Sequence, residues 1–257
     1  MLIQKVSALS IRQNVRLARN AATDFLFPPS CHLCHRAFTA RRQFSLCDDC
    51  LKEVDHSDEP RCPRCSAVIG PYAESLSGCV YCQTDSYAFR GVQSLGNYEG
   101  VLQAAILKGK IGGDVAILNS LTSLLIARHP EFFKQANFDL LLPIPHHWRD
   151  RLFAFAPASD IVAYDISRIL KVPIDRHILF KQKRTPKQQS LVPSARRANL
   201  QNAFECSQHV HLDGAKILLV DDVLTTGTTC QRATRELLKA GAAEVSVAVL
   251  GRGVGAT

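Results

Sequence analysis

A chain of 257 residues, 46% apolar and 21% charged, can bury a full core and still carry a smaller module, which excludes a disulfide-stapled miniprotein. No apolar run approaches the roughly 18 to 20 residues that cross a bilayer, so membrane insertion is not expected. The formal net charge of +8 favours an anionic partner such as a phosphate ester or nucleic acid.

Residues 1–28 carry Lys5, Arg12, Arg16 and Arg19 with no acid before Asp24, a composition shared with organellar transit peptides. Leu2, Val6, Leu9 and Ile11 instead predict one apolar stripe of a short helix that packs on the body and stops at Pro28 and Pro29. The stretch is too short and too interrupted for a secretory signal, so a reducing cytoplasm is the expected compartment.

Residues 29–86 form a cysteine module. Eight of the ten cysteines make four C-x-x-C pairs, Cys31/Cys34, Cys47/Cys50, Cys62/Cys65 and Cys79/Cys82, separated by 12, 11 and 13 residues. Each C-x-x-C turn points two thiolates at one ion, and two turns complete the tetrahedral sulfur set that zinc prefers. Two structural zinc ions are therefore expected, and so small a core would hardly fold without them. The reducing compartment disfavours disulfides, and four successive pairs do not suit a thioredoxin-type redox site. His32 and His35 are spectators beside a complete cysteine set. Pairing the first two turns and the last two is the simplest arrangement, while spacing leaves an interleaved one open. Eight thiolates and two zinc ions lower the net charge to about +4, which weakens the argument for nucleic acid.

Residues 87–257 read as one α/β body. Strands are predicted near 92–98, 139–145, 177–181, 215–221 and 244–250, and helices near 100–108, 114–128, 158–170, 194–202 and 228–240. This alternation indicates a parallel sheet flanked by helices. His146 and His147 follow the second of these strands and are read as surface groups. Residues 176–197 hold seven basic side chains, Arg176, Lys181, Lys183, Arg184, Lys187, Arg196 and Arg197, and no acid. Such a strip suits a loop that closes over a phosphorylated ligand, the backbone of single-stranded DNA, or plain solvent; Phe180 alone gives little support to base stacking.

Ile217 to Val220 is a continuous apolar run, as a strand buried on both faces requires, and Asp221 and Asp222 end it. Thr225, Thr226, Gly227, Thr228 and Thr229 follow, then a helix with Ala233, Leu237 and Leu238 on its apolar face. Amides at a helix start and threonine hydroxyls can hold a phosphate, while adjacent carboxylates accept hydrogen bonds from vicinal sugar hydroxyls. A sugar phosphate satisfies both halves. The loop lacks the Gly-Lys-Ser/Thr of a Walker A motif and the chain lacks G-x-G-x-x-G. Cys230 lies near the helix start, where its pKa would be lowered, and with Cys206 is read as an ordinary thiol.

Ile217 to Thr229 resembles the PRPP-binding signature of type I phosphoribosyltransferases, and together with the cysteine pairs the chain resembles the ComF family over nearly its full length. The resemblance implies a double zinc ribbon ahead of a phosphoribosyltransferase domain, with Asp221 and Asp222 on the ribose hydroxyls and Thr225 to Thr229 around the 5′-phosphate. It also implies Mg2+, and a link to natural competence and the use of external DNA. Tyr98-Glu99-Gly100 and Leu107-Lys108-Gly109-Lys110 resemble the family's early strand and helix, where Lys108 would face pyrophosphate. Asp139 to Pro145 resembles the family's proline-ended central strand. Arg184-Thr185, Gln188, Leu191, Arg196, Asn199 and Ala203-Phe204 resemble a further family segment, making Lys108, Arg184 and Arg196 the candidate catalytic donors. Where the family carries R-G-F-N-Q, this chain has Phe153-Ala154-Phe155-Ala156-Pro157, with Arg149 and Arg151 nearby but out of register. Two readings stay open: an enzyme acting on PRPP, and a nonenzymatic competence factor that keeps the cradle as a ligand sensor while binding single-stranded DNA or competence-machinery proteins.

Overall fold

The computed structural model describes residues 28–39, 42–54, 59–70, 79–83, 85–145, 156–181, 204–207 and 210–254. The expected N-terminal helix, His146, His147, Arg149, Arg151, Phe153 to Phe155, the 194–202 helix and the strip from Lys183 to Arg197, with Arg184 and Arg196, lie outside them.

The centre of the body is a parallel sheet of order β1-β8-β6-β3, from β1 (Val92–Gln93), β3 (Leu140–Pro143), β6 (Lys216–Val220) and β8 (Glu244–Ala248). In β6 the residues after Lys216 are all buried, because β6 is flanked by strands on both edges and covered on both faces. Leu218 and Val220 face one apolar cluster and Ile217 and Leu219 the other, as the two-residue period of a strand demands. The first cluster is supplied by α2 (Gly100–Gly112), α3 (Val115–Arg128), α4 (Pro130–Gln135) and α5 (Ala158–Leu170). The second is supplied by α6 (Thr228–Lys239), through Cys230, Ala233 and Leu237, with Leu179 and Phe204. The predicted α/β architecture is thus present, and the 158–170 helix begins and ends where expected.

Three expectations need correction. Asp221 and Asp222 end β6 as expected, but the stretch after them is not loop throughout: a short strand of another sheet, β7 (Val223–Leu224), starts at once. The expected 92–98 and 244–250 strands are broken in the same way, giving β2 (Gly96–Asn97) and β9 (Gly251–Arg252), and a second parallel layer of order β2-β9-β7 continues the first. The carbonyl of Asp222 causes the break by accepting hydrogen bonds from both Leu250 and Gly251, at 3.0 and 3.2 Å. The third correction concerns β4 (Leu179–Lys181), which pairs antiparallel with β5 (Phe204–Cys206) in a separate ribbon rather than joining the parallel sheet.

The first cysteine turns and α1 (Asp48–Val54) pack directly on the body, with Cys31, Leu46, Cys47, Cys50 and Val54 sharing the cluster of α2 and α3. The later turns form their own small cluster, against which Tyr87 and Val254 pack. Leu218 is fully buried at the sheet centre. Leu218→Ala is expected to lower stability by about 2–5 kcal/mol through lost burial and an unfilled cavity. Urea denaturation checks this, and a loss under about 1 kcal/mol would show that β6 is not the core strand described.

Candidate functional site

The eight cysteines resolve into two groups, Cys31, Cys34, Cys47 and Cys50, and Cys62, Cys65, Cys79 and Cys82, with the sulfurs of each group within 4.8 Å of one another. Pairing is therefore sequential. In the first group Cys31 and Cys50 are 3.8 Å apart and Cys34 and Cys47 3.6 Å; in the second, Cys62 and Cys82 are 3.6 Å apart and Cys65 and Cys79 3.7 Å. A tetrahedron with Zn–S bonds of about 2.3 Å has edges of about 3.8 Å, so both groups fit zinc as they stand. Burial opposes ionisation of Cys31, but amides including those of Cys34, Cys47 and Leu33 donate to its sulfur and bring its pKa down to about 6. Amides including those of Cys65 and Arg64 act likewise on Cys62, which falls to about 7. Each group thus contains one sulfur readily available as thiolate.

The two histidines of the first turn are not ligands. His32 Nδ1 lies 2.9 Å from Asp114 Oδ2, and Asp114 also caps α3 by accepting from Ile117 N at 3.2 Å. His35 Nε2 lies 3.2 Å from Lys108 Nζ, whose ammonium also donates to the His32 carbonyl. Lys108 is thereby committed to the first ribbon.

The acidic pair sits at the break between β6 and β7, with Asp221 9% and Asp222 5% exposed. The Asp222 amide donates to Asp221 Oδ1 at 2.9 Å and the Val223 amide to Asp222 Oδ1 at 3.0 Å. Burial, then the neighbouring Asp222 charge, pushes Asp221 well above the usual carboxylate range. The cation that answers the pair is Lys110, which reaches Asp222 Oδ2. Burial weakens its charge, but Asp222 and then Asp221 outweigh that and hold Lys110 above its ordinary value. Of the two lysines in the Leu-Lys-Gly-Lys segment, the structure therefore brings Lys110, and not Lys108, to the candidate site.

The threonine loop runs from β7 into α6. Gly227 takes the left-handed conformation at φ 72°, where an added Cβ would come within 2.8 Å of the Tyr87 ring. Thr226 Oγ1 and Thr228 Oγ1 are 2.9 Å apart. Among the described residues, the amides of Thr226, Gly227 and Thr229 have no backbone acceptor, so they remain donors behind the positive end of the α6 dipole. Cys230 is wholly buried, and burial pushes its thiol up, contrary to the lowering expected at a helix start. A cleft of about 1010 Å³ lies elsewhere, between the first ribbon and α3, α4 and α5, and includes neither the acidic pair nor the threonines.

A family model described as "Double zinc ribbon domain" matches residues 22–84, and one described as "Phosphoribosyl transferase domain" matches residues 152–253. "Competence protein F" of Haemophilus influenzae is 28% identical over 80% of this chain and 90% of its own length. "DNA utilization protein YhgH" of Escherichia coli O157:H7 is 28% identical over 86% of this chain and 95% of its own. ComF-type homologues thus match most of this chain at 28% identity, with the same pair of domains. Among solved structures, a purine phosphoribosyltransferase from Pyrococcus horikoshii is 19% identical, covering 52% of this chain and 72% of its own, with a TM-score of 0.35. The ComF-type combination of a Cys-rich double ribbon and a type I phosphoribosyltransferase fold is what the geometry carries: two four-sulfur groups ahead of a parallel sheet with an acidic pair at its carboxyl end. No helix among the described residues is long and apolar enough to cross a membrane.

Metal analysis of the purified chain should find two zinc ions per molecule. Cys34→Ser and Cys79→Ser should each remove one ion, and the double variant both. Loss of both ions from a single substitution would contradict two independent groups.

Proposed function

We propose that the chain binds PRPP or a related ribose 5-phosphate together with Mg2+, in the service of DNA uptake and utilisation. The observation that carries this reading is the conjunction of unused amides at Thr226, Gly227 and Thr229 with a buried acidic pair on the same strand end. The 5′-phosphoryl group would take the amides and the Thr225, Thr226, Thr228 and Thr229 hydroxyls. The ribose hydroxyls would donate to Asp221 and Asp222. Mg2+ arriving with the diphosphate would neutralise charge on the leaving group beside this acidic pair.

In an enzyme of this design a nitrogen nucleophile displaces pyrophosphate from the anomeric carbon, and the protein contributes orientation and electrostatic stabilisation without a covalent intermediate. Lys110 is then the donor nearest the reaction. It holds Asp222 until ribose hydroxyls take that carboxylate, and its charge becomes available to the departing pyrophosphate. Arg184 and Arg196 remain proposed donors on the strength of the family segment alone.

One observation favours the second reading, a nonenzymatic competence factor that senses the ligand. Lys108, the donor implied for pyrophosphate, is spent on the first ribbon, which leaves the pyrophosphate side poorer in cations. Zinc ribbons and basic residues would then serve single-stranded DNA or competence proteins.

Calorimetry with PRPP and Mg2+ tests the shared core of both readings. The wild type is expected to bind, and Asp221→Asn/Asp222→Asn to lose at least about a hundredfold in affinity, because each lost charged acceptor removes about 1.5–3 kcal/mol. Absence of wild-type binding would overturn both. Pyrophosphate release in the presence of a nitrogen base supports transfer, and tight binding without release supports the sensor.

A further inference from the structure

The second cysteine group is built into the underside of the threonine loop. Arg252, on β9 and 2% exposed, donates through Nη1 to the carbonyls of Leu224 at 3.0 Å, Thr225 and Gly253. The positive charge of Arg252 favours the thiolate of Cys65, against the burial that opposes it. Tyr87, five residues beyond Cys82, packs on the sulfur cluster and contacts Gly227. Its hydroxyl lies 3.0 Å from Asp85 Oδ2 and 3.5 Å from the Thr226 carbonyl. Arg64, inside the Cys62/Cys65 turn, stands 5.8 Å from the Tyr87 ring centroid and donates to the Asp85 carbonyl at 2.6 Å. From the other side, Gln231 of α6 donates to the Ser86 carbonyl at 2.6 Å and accepts from the Ala88 amide.

These contacts matter because a peptide unit is planar and trans, so its carbonyl and the following N–H point in opposite directions. Holding the Thr225 carbonyl on Arg252 aims the Thr226 N–H away from the ribbon. The Tyr87 ring, fixed by its hydroxyl on Asp85 and packed against Gly227, restrains the next peptide unit from the same side. A loop that must present amides to an anion gains affinity when those amides are already aimed, since no ordering cost is left to binding.

We propose that Arg252 is the positioning residue of the threonine loop and that metal in the Cys62, Cys65, Cys79 and Cys82 site holds it there. Emptying that site then loosens the loop, whereas emptying the Cys31, Cys34, Cys47 and Cys50 site does not. The second zinc site thus acts as a metal-dependent control on phosphate capture. Its ligand arm rests on the sugar-phosphate reading above; its structural arm does not.

The test uses the full zinc-loaded chain, with three readouts: zinc per molecule, backbone order parameters of the Thr226 and Gly227 amides, and affinity for ribose 5-phosphate. In the wild type the two amides should be rigid, with order parameters near about 0.85. Cys65→Ser should release one zinc ion and take both amides below about 0.6, the range of mobile backbone. Cys31→Ser should release one zinc ion and leave both amides rigid. Arg252→Lys should keep two zinc ions, loosen the loop, and weaken ribose 5-phosphate about tenfold. Tyr87→Phe, which keeps the packed ring and removes the hydroxyl, should loosen Gly227 and spare the metal, and it provides the reading if the Arg252 variant fails to fold. Rigid amides in Cys65→Ser, or equal loosening in Cys31→Ser, would overturn the proposal. A wild type with a rigid loop that follows the second metal but no ribose 5-phosphate binding would leave the coupling standing and remove the sugar-phosphate reading.

Discussion

One carbonyl organises this molecule. By accepting from Leu250 and Gly251 together, Asp222 breaks β6 from β7 and β8 from β9 at the same level of the sheet. A regular ladder would send alternate side chains of that segment into the two apolar clusters. The break instead leaves two carboxylates side by side at the carboxyl end of the sheet, where open α/β folds place their ligands. Their mutual repulsion is tolerated because backbone amides and Lys110 supply compensation. An arrangement that keeps one carboxyl strongly proton-seeking is costly to stability, and such costs concentrate at sites selected for chemistry.

The ribbons do more than decorate this body. The first shares the core of α2 and α3 and takes Lys108 and Asp114 as polar anchors. The second reaches the threonine loop through Tyr87, whose ring packs on its sulfur cluster and against Gly227. The two halves of the candidate site, the lysine-bearing helix and the threonine loop, are each backed by a different four-sulfur group. Small cysteine modules gain their order from ligation, so that order is lent to whatever packs on them.

Much of this was legible in the sequence. The C-x-x-C spacing announced the ligands, and the apolar run before Asp221 announced a central strand, because both signals are local. The start of a further strand at Val223 was not legible, since it depends on hydrogen bonds from Leu250 and Gly251, some thirty positions away. The different placements of Lys108 and Lys110 were illegible for a related reason. At about 100° per residue the two lysines flank opposite sides of the stripe formed by Leu102, Ala105, Ile106 and Gly109. Which flank meets the ribbon and which meets Asp222 is set by tertiary packing. The helix Asp48–Val54 was missed although Asp48 and Asp49 in its first turn are a helix-start signal, one overshadowed by the cysteines around it. Arg252 and Tyr87 carry no motif at all; only their burial against the loop reveals them.

The central claim is that the turn after Asp222 grips a ribose through its 5′-phosphoryl group. A crystal grown with PRPP and Mg2+ tests it most directly. The account predicts phosphate density within hydrogen-bond distance of the Thr226, Gly227 and Thr229 amides and ribose hydroxyls on Asp221 and Asp222. Ligand density at another place on the chain, with those amides closed on internal acceptors, would contradict it.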